Sequence, residues 1–259
     1  MRAWMRGVVA VSAVLAALTA QPARADLSLD IRPARYEFAA DAGTMKTFPI
    51  TVRNVGTART HVVVSLADLD TSEAGQVRFL SPGAAKFSSG RWSEVNPREF
   101  DIAPDTFVQV RYTVSVPSGA QGEYATLVLF TTRPSRKPGG FGLTESIASR
   151  LYVVAGDAQP SGAVGSIATE PNVTGRRYAI NFKNTGSMHE YVTGHVDVTH
   201  DGTAVDHVDL PPSTFVGRGA SRTVMAQGKV LPAGTYQAVA VLDYGGPTRV
   251  AGKTTFVAR

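Results

Sequence analysis

The sequence predicts an all-β chain folded as two tandem sandwiches, and three observations carry that prediction. The first is a doubled landmark: Ile50-Thr-Val-Arg-Asn-Val-Gly56 is echoed by Ile180-Asn-Phe-Lys-Asn-Thr-Gly186, each an alternating strand closed by Asn-x-Gly. The second is a doubled strand start. Tyr124 and Tyr236 each follow a Gly turn and open an apolar run, Ala125 to Phe130 and Ala238 to Leu242. The third is the spacing of short strands between turn signals, with no helical period outside the N-terminal leader. A tyrosine at the start of the penultimate strand belongs to immunoglobulin-like sandwiches. Asn54 and Tyr124 are 70 residues apart and Asn184 and Tyr236 are 52 apart, so the second unit is the shorter of two related ones.

Residues 1–25 read as a secretory leader. Arg2 and Arg6 give a positive start, Gly7 to Thr19 is almost wholly apolar, and Ala23-Arg24-Ala25 fits an A-x-A cleavage site. That run is too short to span a bilayer as a stable helix, and no other long apolar run follows. The mature chain is therefore expected to have no membrane span. Without the leader's three arginines the balance is 23 basic to 21 acidic side chains. This near-neutrality argues against nucleic acid as a partner. There is no cysteine, which excludes disulfides, thiol chemistry and Cys-ligated metals. An exported chain without disulfides fits a periplasm, with a Gram-positive cell surface as the other possibility.

The first domain is expected over residues 26–156. Leu27-Ser-Leu-Asp-Ile31 alternates as a half-buried strand, and Pro33, lacking an N–H, marks an edge or kink. Tyr36 and Phe38 resume the alternation. Strands follow at Phe48–Val52 and His61–Leu66, and residues 67–94 read as loop with one or two short strands. Phe107 to Val116 carries the clearest strand pattern, with Val108, Val110, Tyr112, Val114 and Val116 on one face. A basic loop at Arg133–Gly140 precedes the closing strand Ser146–Val154, and Gly156 to Gly162 reads as a linker. The second domain, 157–259, repeats the scheme. Asp201-Gly202 is a strong hairpin turn between Tyr191–Thr199 and Ala204–Val208.

Catalytic motifs are missing. No G-x-S-x-G elbow, phosphate loop or dinucleotide fingerprint is present, and carboxylates such as Glu94 and Glu99 fall in turns and edges. His195, His200 and His207 lie near Asp197, Asp201, Asp206 and Asp209. His195 and Asp197 share a strand face, but His200 falls on the other, so the hairpin reads as a solvated face without a metal. No cofactor and no enzyme activity are expected. Binding through sandwich edges and an interdomain cleft remains.

Several short stretches resemble the periplasmic chaperones of chaperone–usher pilus assembly. Asp243-Tyr-Gly-Gly246 is similar to their Asp-x-Gly stretch. Asp26-Leu-Ser-Leu-Asp30 with Arg35-Tyr-Glu-Phe38 resembles their first strand and its cleft arginine. Ser149-Arg-Leu-Tyr-Val153 resembles the strand bearing their second cleft cation, and Glu123, just before Tyr124, matches the acidic residue at the start of their sixth strand. The resemblance implies a non-catalytic chaperone. Arg35 and Arg150 would hold the terminal carboxylate of an exported pilin-like subunit. Phe141, Leu143, Ile147 and Leu151 would serve as donor or edge strand, and Glu123 and Asp243 would lie between the domains. It adds an outer-membrane usher as a further candidate partner. Two departures stand out. Val154 replaces the family's arginine four residues after the cleft cation, which leaves Glu123 and Asp243 without a basic partner. Glu145 interrupts the donor run. The competing reading is a structural adaptor in the envelope or on cell-wall polymer.

Overall fold

A computed structural model describes residues 28–133 and 144–259. The stretch expected to be a leader, Asp26, Leu27, Phe141, Leu143 and most of the basic loop lie outside these residues. The first half carries β1 (Leu29–Arg32), β2 (Arg35–Ala39), β3 (Met45–Asn54), β4 (Thr60–Thr71), β5 (Val77–Leu80), β6 (Ser93–Asn96), β7 (Glu99–Ile102), β8 (Phe107–Ser115), β9 (Gly122–Thr132) and β10 (Ser146–Ala155). The second half carries β11 (Gly162–Asn172), β12 (Gly175–Asn184), β13 (Glu190–His200), β14 (Thr203–Asp209), β15 (Thr214–Val216), β16 (Ser221–Gly228), β17 (Gly234–Asp243) and β18 (Val250–Ala258). Among the described residues no helix is long and apolar enough to cross a membrane.

Each half is a two-sheet sandwich. In the first, β1-β3-β8-β6 faces β2-β10-β9-β4-β5, with β7 also on β4. In the second, β11-β12-β16 faces β14-β13-β17-β18, with β15 on β13. Alternation along β8 turns Val110, Tyr112 and Val114 into one core, where they meet Ile50, Val52 and Phe130. Tyr178, Ile180, Phe182 and Leu242 build the second core. Burial of such side chains contributes roughly 1.5–3 kcal/mol each.

The first strand changes sheets at Pro33. β1 pairs antiparallel with β3, then β2 pairs parallel with β10. A residue without an N–H suits the crossing, because neither ladder needs a donor there. The switch sets Arg35 directly opposite Arg150 in register.

The echoed Asn-x-Gly motifs do the same work twice. Asn54 Nδ2 donates to Ala58 O and Ile102 O, and its Oδ1 accepts from Gly56 N. Asn184 Nδ2 donates to Met188 O and Val216 O, and its Oδ1 accepts from Gly186 N. Both amides are buried, and each ties a turn to the opposite sheet. Tyr124 and Tyr236 are each the third residue of their strands, β9 and β17. Tyr236 donates its hydroxyl to Pro232 O at 2.9 Å, a bond four residues upstream. Tyr124 packs instead on Trp92, with ring centroids 4.4 Å apart.

Residues 67–94 are more ordered than their composition suggests. β4 runs on to Thr71 and pairs with β5, and a 3-10 turn at Gly90–Trp92 leads into β6. The organiser is Asp68, a buried carboxylate that accepts from Ala85 N and Ser88 Oγ at 2.9 and 2.6 Å. One side chain satisfying two loop donors replaces the apolar pattern a sequence scan looks for.

Candidate functional site at the interdomain cleft

Arg35 and Arg150 stand side by side on adjoining parallel strands, at the seam between the sandwiches. Their surroundings differ. Arg35 is held by Glu37, by the hydroxyl of Tyr191, and by Nε2 of His189 at 2.6 Å. Its guanidinium also lies 5.2 and 5.1 Å from the ring centres of Tyr152 and Tyr191. Arg150 donates to the Tyr152 hydroxyl at 3.3 Å and sits 5.3 Å from the centre of the Phe215 ring. Among the described residues no carboxylate pairs with Arg150, and none pairs with both arginines. Burial pushes the Tyr152 hydroxyl above the ordinary tyrosine range, and neighbouring Arg150 pulls it partly back.

Glu123 has a basic partner after all, supplied by the second domain. The His189 backbone N–H donates to its Oε1 at 3.1 Å, and His189 Nδ1 lies 2.5 Å from its Oε2. Arginine has donors only, so at Nε2 the imidazole accepts from Arg35, and Nδ1–H is the donor to Glu123. A chain Glu123–His189–Arg35 thus crosses the seam. Arg218 adds bonds from Nη1 to Gln121 O and Glu123 O, both 2.9 Å, and its guanidinium stacks 4.0 Å over Phe87. Asp243 takes no part in this network. Its carboxylate accepts from Gly245 N and faces Arg249, within its own domain.

Beside Arg150 the seam forms a pocket of about 240 Å³, open on one side and lined by Phe87, Glu123, Tyr152, Phe215 and Arg218 as well as Arg150. Aromatic walls around a guanidinium that lacks a carboxylate partner suit an anionic group carried by an apolar chain.

β10 divides at Arg150. From Arg150 onward its backbone pairs with β9 on one side and β2 on the other. Among the described residues Ser146 to Ser149 pairs with β9 alone; Ser149 is buried, with its Oγ donating to Pro33 O, so the open edge is Ser146–Ala148. Leu151 falls on the closed side and is core, with both of its ladders occupied, so it cannot act as a donor or edge residue. Ile147 lies on the open stretch while its side chain packs against the same core. Glu145 turns back on the domain and accepts from Ser28 N and Oγ at 2.8 and 2.7 Å.

No protein-family model matches the sequence, and no curated protein matches it. Solved structures do. A chain from the chaperone–tip adhesin complex of CFA/I fimbriae superposes with a TM-score of 0.50, covering 89% of this chain and 99% of its own at 10% identity. The fold is that of the pilus-assembly chaperones. The CsuC–CsuE chaperone–subunit complex of archaic Csu pili from Acinetobacter baumannii gives a TM-score of 0.48 at 13% identity, covering 87% and 97%. The E. coli chaperone DraB gives 0.45 at 16%, covering 90% and 98%.

Sequence reading singled out Arg35, Arg150 and Glu123, and the fold brings all three to the seam. It missed His189, Tyr191, Phe215 and Arg218, which come from the second domain. The available signal was slight: His189-Glu-Tyr191 follows Asn184-Thr-Gly186 where the second domain turns back toward the linker.

Proposed function

We propose that this chain is a non-catalytic periplasmic chaperone for exported pilin-like subunits. The observation that carries the reading is the register of Arg35 against Arg150 at the interdomain cleft, with no carboxylate partner for Arg150 among the described residues. A subunit's terminal carboxylate takes Arg150 first and then competes with Glu37 for Arg35. Its last strand pairs with the open edge at Ser146–Ala148. The backbone supplies affinity and the cleft fixes the register. Charge-assisted contacts of this kind contribute roughly 1.5–3 kcal/mol each. Losing both weakens binding by about 100-fold or more. Arg35→Ala/Arg150→Ala is expected to give an unchanged circular dichroism spectrum, since neither side chain fills a core, and to retain no client in a periplasmic pull-down. An intact fold with undiminished client recovery rejects the cleft mechanism.

One observation favours a second reading, an adaptor held permanently in an envelope complex. Glu145, in the middle of the donor run, is bonded to Ser28 of its own domain. A stable stoichiometric complex that survives the double substitution would select the adaptor.

A further inference from the structure

We propose that the outward face of the β13–β14 hairpin is a binding site for a divalent late transition-metal ion of the zinc class, with His195, Asp197, His207 and Asp209 as ligands. The strands are antiparallel and in register there: His195 lies opposite Asp209, and Asp197 opposite His207. Residues two apart on a strand share a face, so the four side chains form a square with histidine and aspartate alternating at its corners. One ligand atom from each of His195, Asp197 and His207 lies within 4.8 Å of the others. The imidazoles are 4.8 Å apart between ring centres.

The spacings suit a small tetrahedral ion. Nitrogen and oxygen ligands at about 2.0–2.1 Å from zinc stand about 3.3 Å from one another. His195 Nε2 is 3.3 Å from Asp197 Oδ2. His207 faces Asp209 Oδ1, 3.6 Å away, with Nε2 and faces Asp197 with Nδ1, so its ring must turn to give one nitrogen to an ion shared by all four. Asp197 Oδ1 also meets His207 Nδ1 at 2.5 Å, a contact that exposed side chains can exchange for a metal bond. Two imidazoles and two carboxylates select zinc, copper or nickel over magnesium and calcium, which take oxygen ligands alone.

The other titratable groups of the hairpin are engaged elsewhere. Asp206 accepts from His207 N and Lys229 N. A register shift after Val198 carries His200 out of the square, where its Nδ1 lies 2.8 Å from Thr235 O. β14 is the outer strand of its sheet, so an ion held across the pair pins that edge strand to β13. Reading along β13 alone finds only His195 and Asp197; pairing with β14 brings in the other two.

The test uses the mature chain without an affinity tag, titrated with zinc chloride by calorimetry and by thermal melting. One equivalent of zinc is expected, with a rise in melting temperature and no displacement by excess magnesium or calcium. His195→Ala/His207→Ala is expected to lose at least about 100-fold in affinity, since even residues that only support ligands are worth 10–100-fold. His200→Ala is expected to bind as the wild type does. Should the double variant lose its fold, Asp197→Asn is read in its place for the same loss. A wild-type chain that takes up no zinc overturns the site. So does a folded double variant, or a folded Asp197→Asn, that binds zinc unchanged.

Discussion

Asn184 shows how much one buried amide holds in this protein. It satisfies two carbonyls and one N–H that belong to different segments, and Asn54 does so in the other domain. Asn184→Ala takes this partner from the buried Val216 carbonyl and from the half-buried Met188 carbonyl and Gly186 N–H. A loss of roughly 2–4 kcal/mol is expected, read as a drop in the denaturant midpoint. Glu190 carries a different liability. It is 2% exposed, and Oε1 accepts from Ser161 N at 2.7 Å while Oε2 is buried without a partner. Burial pushes its carboxyl up to about 7, against a smaller opposing pull from the Ser161 N–H. The folded pKa is thus above the ordinary value of 4.5, so the group's contribution to stability is complete below pH 4.5 and is lost as pH rises toward 7. Glu190→Gln keeps the acceptor for Ser161 and removes the charge. It is expected to raise stability at pH 8 by up to about 3 kcal/mol and to change little at pH 4.5, as measured by urea unfolding at both values.

At the scale of the element, β10 is the strand with two lives. Its C-terminal half is sealed between β9 and β2, and its N-terminal half keeps one side open. Arg150 N donates outward to Ala34 O, so the two-residue period points the Ala148 N–H outward as well. That donor has no ladder partner within the described residues, and proline is tolerated at such edge positions. Ala148→Pro is therefore expected to fold, as judged by circular dichroism, but to lose client pairing by removing one N–H and obstructing its neighbours. Retention equal to wild type would place the client's strand elsewhere.

The two sandwiches meet through matched polar groups more than through a shared apolar core. Glu123 N–H donates to Ser187 O at 2.8 Å, Thr223 N–H donates to Glu73 O at 2.9 Å, and Arg218 and His189 converge on Glu123. Both side chains of the His189–Glu123 pair are 4% exposed, so the pair is shielded from salt. Glu123→Ala strands the donors of His189 at the seam. The expected results are a melting temperature lower by about 5 °C and a larger radius of gyration in X-ray scattering, as the domains swing apart. An unchanged radius would mean that the β4–β5 turn and Arg218 suffice to hold the two halves.

What the chain's own order determined is local and periodic. The strands of β8 and β9, the type I′ signal at Asp201-Gly202 with φ of 48° and 77°, and the doubled Asn-x-Gly turns follow from side-chain alternation and backbone permission. Arg35 and Arg150 could be singled out because each sits in a short recognisable stretch. Their pairing in register depended on the sheet switch at Pro33. Tertiary structure alone decided the rest. Leu151 belongs to the core because β2 closes over it, a parallel pairing between residues more than 100 positions apart. Asp68 orders a polar loop through bonds that leave no hydrophobic period. His189 meets Glu123 because a second domain brings it there. The His195–Asp209 square exists only where two strands pair. Periodicity along one strand says which face a residue takes, and only the fold says what stands on the other side.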